Sequence, residues 1–71
     1  SGWQTKDGKI IITVSIPPNT TVTIKLPAAA IETITESGTA VATVFKNIKQ
    51  DGKNVLIETG SGNYVFEYPV K

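Results

Sequence analysis

Residues 10–27, IIITVSIPPNTTVTIKLP, decide the fold. Two runs of alternating β-branched and polar residues flank a corner, Pro17-Pro18-Asn19. Ile10, Ile12, Val14 and Ile16 share one face of the first run, and Val22, Ile24 and Leu26 share one face of the second. A period of two marks half-buried strands, so all seven side chains are expected in a core. The prolines cannot donate to a ladder and restrict the residue before them, which excludes a tight two-residue turn. Either an odd-length hairpin loop or an arch to a second sheet keeps Ile16 and Val22 on one core, and both stay open.

Upstream, Ser1-Gly2-Trp3-Gln4-Thr5 reads as a short strand. Lys6-Asp7-Gly8-Lys9 would fold it onto Lys9–Ile16, because a type I′ turn needs positive φ at both central residues. Trp3 is then read as a core or rim residue, given the apolar area it carries. Downstream, Ala28-Ala29-Ala30 is a loop or a single helical turn. Ile31–Glu36 reads as a strand closed by Ser37-Gly38, and Thr39–Ile48 as another, with Val41, Thr43 and Phe45 against Ala42 and Val44. Lys49-Gln50-Asp51-Gly52-Lys53 is a second Asp-Gly hairpin. The last hairpin joins Asn54–Thr59 to Asn63–Tyr68 through Gly60-Ser61-Gly62. An even loop sets Thr59 opposite Tyr64, Ile57 opposite Phe66 and Val55 opposite Tyr68. An odd loop would mix Glu58 into the aromatic face, since a register slip exchanges faces. The expected fold is all-β, a small antiparallel β-sandwich of about six or seven short strands, forming one domain over residues 1–71.

A chain of 71 residues buries only ~60% of its unfolded surface, so its core is thin. Without cysteine or histidine there is no disulfide framework, no usual zinc ligand and no common general base. No cofactor or metal is expected. Seven lysines, no arginine and six acids leave the charge near balance, without the basic stripe of a nucleic-acid binder. No apolar run is long enough to span a membrane as a helix. The lack of cysteine suits cytoplasm and periplasm alike.

Two constellations deserve weighing. On the even register Glu58 and Glu67 lie diagonally on one face, ~7–8 Å apart, within the ~6.5–9.5 Å an inverting glycosidase uses. Such a pair needs a cleft that raises one pKa by burial, and a thin sandwich offers little depth. Two solvated surface acids is the stronger reading. Trp3, Tyr64, Phe66 and Tyr68 could build a sugar-stacking platform, with Trp3, Tyr64 and Tyr68 as the binding residues. A stripe of alternating aromatics is more often core in a domain with few large side chains. Gly60-Ser61-Gly62 joins strands, with no helix N-terminus to hold a phosphate. Nothing here makes the chain alone an enzyme.

The run Trp3…Asp7-Gly8-Lys9-Ile10…Val14 through Pro27, followed by Ile34-Thr35-Glu36-Ser37-Gly38 and Gly60-Ser61-Gly62-Asn63-Tyr64-Val65-Phe66, resembles the C-terminal β-sandwich domain of bacterial α-L-rhamnosidases. The resemblance implies a parent glycoside hydrolase that releases terminal L-rhamnose with inversion. Its catalytic carboxylates would lie in an (α/α) barrel domain of the same chain, so no catalytic residue carries over to this sequence. The barrel is the implied partner, and the implied role is a structural accessory domain. A carbohydrate-binding module using exposed aromatics is the alternative. The family module usually has another strand before the tryptophan, so the resemblance also implies a trimmed fragment. Such a fragment is expected to self-associate weakly, through an open edge near Trp3 or the outer face of Ile11.

Overall fold

The computed structural model describes residues 2–70; Ser1, expected to open the first strand, lies outside the described residues. In chain order the elements are β1 (Gly2–Lys6), β2 (Lys9–Ile16), β3 (Val22–Leu26), a 3₁₀ turn (Ile31–Thr33), β4 (Thr35–Glu36), β5 (Thr39–Ala40), α1 (Val41–Val44), β6 (Asn47–Asp51), β7 (Asn54–Thr59) and β8 (Gly62–Pro69). They form two antiparallel sheets, one of order β1-β2-β8-β4-β5 and one of order β3-β7-β6. The fold is the all-β architecture that the alternation implies.

Asp7 and Gly8 both take positive φ, 52° and 76°, so β1 folds onto β2 through the expected type I′ turn, with Lys6 opposite Lys9. At Pro17-Pro18-Asn19 the open choice resolves to an arch. β2 belongs to the five-stranded sheet and β3 to the three-stranded one, with Asn19 at φ 61° in the bend. Of the seven core candidates, Ile16, Ile24 and Leu26 are buried, while Ile10, Ile12, Val14 and Val22 are half-buried and pack against the core.

The last connection departs from expectation. β7 and β8 do not pair; they lie in different sheets, and Gly60-Ser61 is a second arch. The parity argument still selected the right faces, because Val55, Ile57, Phe66 and Tyr68 are all buried. Parity decides which side chains face a common core, and a hairpin and an arch can satisfy it equally. Tyr64 holds the arch. Its hydroxyl shares its proton between the carbonyl oxygens of Gly60 (3.0 Å) and Ser61 (3.1 Å), and accepts from Thr59 Oγ1 at 3.0 Å.

Two predicted strands are also broken up. Within Ile31–Glu36 only Thr35-Glu36 forms a strand. The Thr33 N–H and Oγ1 both donate to the Ala30 carbonyl, at 2.9 and 2.8 Å, a local bond that competes with a ladder. Within Thr39–Ile48, residues 41–44 form the single helical turn α1. Val41 and Phe45 are both buried, and a spacing of four fits one helix face as well as one strand face. The second Asp-Gly turn is shifted by one residue. Asp51 pairs with Asn54, leaving Gly52-Lys53 as the loop, and only Gly52 has positive φ (61°). That is the type II′ pattern, with glycine first.

Candidate functional site

The two sheets are unequal, and the mismatch creates the one site of interest. β1 is the outer strand of the larger sheet, pairs only with β2 and is exposed along its length. Trp3 stands opposite Ile12, and Ile12 stands opposite the buried Phe66. All three therefore point toward the core side of the sheet. Trp3 is nevertheless 71% exposed, because the smaller sheet ends at β3. Of the two positions expected for it, core and rim, the exposure rules out the core. A groove of about 510 Å³ opens there, lined by Trp3, Ile10, Ile12, Lys25, Pro27 and Tyr68, with Gly2 and Ala28 at its margins.

The chemistry of the groove is simple. Among the described residues Lys25 is the only charged one lining it. The Tyr68 hydroxyl is engaged, donating to the Pro27 carbonyl at 2.8 Å. Burial holds that phenol above its ordinary pKa, so it stays neutral near pH 7. Apolar surface dominates, and few side chains could satisfy a polar ligand. Lys25, Pro27 and Ala28 were not among the candidate site residues. No sequence signal identifies them, because the groove arises from strand count.

Of the three aromatics proposed as a platform, Trp3 and Tyr68 meet at this groove, Trp3 exposed and Tyr68 buried. Tyr64 lies apart, half-buried beside Phe45 and Phe66, at ring-centroid distances of 5.7 and 6.1 Å. The carboxylates do not come together. Glu58 is exposed on the outer face of β7, whereas Glu67 is half-buried on the outer face of β8, where Lys9 Nζ lies 4.0 Å away. Two stacked sheets, ~10 Å apart face to face, stand between them. The diagonal pair inferred from a hairpin register is thereby corrected. Among the described residues no three or more His, Cys, Asp or Glu side chains gather as a metal site.

Residues 1–41 match the family model for the bacterial alpha-L-rhamnosidase C-terminal domain. The chain belongs to that family. No curated protein and no solved structure matches it. The matched segment of this rhamnosidase domain holds β1 to β5 and the first residue of α1, and so includes Trp3 and the groove residues from Ile10 to Ala28. Tyr68, which also lines the groove, lies beyond it. A rhamnosidase C-terminal domain is part of a glycoside hydrolase and implies a catalytic domain in the same chain.

Proposed function

We propose that this chain is a single, non-catalytic β-sandwich domain that serves its parent α-L-rhamnosidase structurally, held against the catalytic barrel, while the parent removes terminal L-rhamnose from glycosides. The observation that carries the reading is the placement of Glu58 and Glu67 on outer faces of opposite sheets. An acid–base pair must flank one scissile bond, and these two cannot. The pure chain is expected to release nothing from an aryl α-L-rhamnoside. Release that disappears in the Glu58→Gln/Glu67→Gln double variant would overturn the proposal.

Exposed Trp3 favours a second reading, a carbohydrate-binding module. A sugar platform of Trp3, Tyr64 and Tyr68 would rest mainly on Trp3, since the two tyrosine hydroxyls already have backbone partners. Trp3 is the single tryptophan, so its fluorescence reports on the site directly. A saturable emission shift on titrating L-rhamnose would favour this reading over the structural one.

A further inference from the structure

We infer that the Trp3 groove is the docking face of this domain, and that its occupant is an extended segment of the parent's catalytic part, laid along the free edge of β3. The inference rests on the structural reading above and names the surface that reading needs.

Four observations lead to it. First, five strands face three, which leaves Trp3 on β1 exposed and Ile10 and Ile12 on β2 only half-covered. Second, among the described residues β3 pairs on one side only, with β7. Alternate N–H and C=O groups of residues 22–26 therefore point outward along its other edge, a ready template for strand addition. Lys25 and Pro27 line the groove, which puts that edge beside exposed Trp3 and half-covered Ile10 and Ile12. An added strand would extend the smaller sheet beneath β1 and cover both at once.

Third, the lining selects the chemistry of the occupant. Sugar hydroxyls need several convergent polar side chains, and this groove offers a lysine and an already bonded phenol. Apolar side chains at alternate positions of a strand fit such a surface. Lys25, the one charge among the described lining residues, calls for a carboxylate on the partner at the rim. Fourth, the family supplies the source. A C-terminal domain receives its chain from the catalytic part on its amino-terminal side, and the amino-terminal strand β1 forms the groove's roof.

The test uses the full-length parent rhamnosidase, with a photoreactive benzoylphenylalanine in place of Trp3 or, separately, of Val65, which is exposed on the outer face of β8. The inference expects position 3, and not position 65, to cross-link to peptides of the catalytic part. It also expects the outward amides of residues 22–26 to exchange hydrogen about tenfold or more slowly in the full-length enzyme than in the 71-residue chain. Trp3→Ala and Lys25→Glu should reduce that protection. Cross-links from position 65 alone would overturn the groove as docking face while leaving the structural reading intact. Cross-links from neither position, with unchanged exchange, would sink both. A saturable response of Trp3 fluorescence to L-rhamnose would assign the groove to sugar instead. Self-association of the chain that Trp3→Ala abolishes would assign it to a second copy.

Discussion

Trp3, Ile12 and Phe66 stand in one row across the larger sheet, each opposite the next, and their burial differs completely. Phe66 has no exposed surface, Ile12 is half-buried, and Trp3 is 71% exposed. All three sit at inward positions, so strand parity treats them alike. What separates them is the layer beneath. Phe66 lies over the smaller sheet and against Phe45, at a ring-centroid distance of 5.6 Å; Trp3 lies beyond the end of that sheet. Face is therefore a property of the strand, whereas burial is a property of the facing layer.

The row can be tested residue by residue, and the largest effect belongs to Phe66. Phe66→Ala should cost ~3–5 kcal/mol, the usual range for a buried phenylalanine. In a domain this small such a loss approaches the whole stability, so urea titration should find the variant largely unfolded. A cooperative transition within about 1 kcal/mol of the parent chain would mean the core is looser than its burial suggests. Ile12→Ala comes next, at roughly 1–2 kcal/mol, below the fully buried range because its side chain is only partly covered. Equal costs at both positions would erase the gradient.

The sequence made the inward faces of these strands legible, but neither the row nor its gradient. Alternation identified β2 and β3, and Asp7-Gly8 fixed their neighbour, because each signal is local. The sheet to which β7 or β8 belongs is a long-range fact, and Ile57 and Phe66 satisfy the same parity in a hairpin or across an arch. Val41 and Phe45 were ambiguous for a related reason, their spacing being shared by helix and strand. The groove was the least legible part. Lys25 and Pro27 acquire meaning only once the smaller sheet is known to stop at β3. Gln50 was equally silent: its Oε1 accepts from the Ile31 N–H at 3.1 Å, and its Nε2 donates toward the Ala29, Gly52 and Asn54 carbonyls. It thereby ties the 3₁₀ segment to the β6–β7 turn.

The neighbouring row, Thr5–Ile10–Tyr68, gives a smaller and pH-dependent effect. Tyr68→Phe removes the bond to the Pro27 carbonyl and should cost ~1 kcal/mol near pH 7. Burial raises the phenol's pKa in the folded state, so the folded chain holds this proton more tightly than the unfolded chain does. The associated stabilisation is complete below the unfolded value of ~10 and is lost as pH rises through the folded value. Stability of the parent chain should accordingly fall above about pH 10 more steeply than that of Tyr68→Phe. Parallel curves for the two proteins, measured by urea midpoint against pH, would show that Tyr68 does not contribute to the alkaline loss.

The smallest effect is expected at the end of the row. Trp3 is the largest side chain in the protein, and by size alone its removal should be the most damaging. Its exposure argues the reverse. A side chain still 71% accessible has left little of its surface in the fold, and substitutions at such positions usually stay within about 0.5 kcal/mol. Trp3→Ala should therefore leave the urea midpoint of the 71-residue chain almost unchanged. In the unsubstituted 71-residue chain, Trp3 emission should be red-shifted and readily quenched by acrylamide. A cost above ~2 kcal/mol, together with blue-shifted, protected emission, would mean that β1 folds its tryptophan onto the core in solution. That outcome would close the groove and make the row uniformly buried. A near-zero cost in the chain alone, beside lost protection of β3 in the full-length enzyme, would leave one reading: Trp3 contributes its apolar surface when a partner strand lies beneath it.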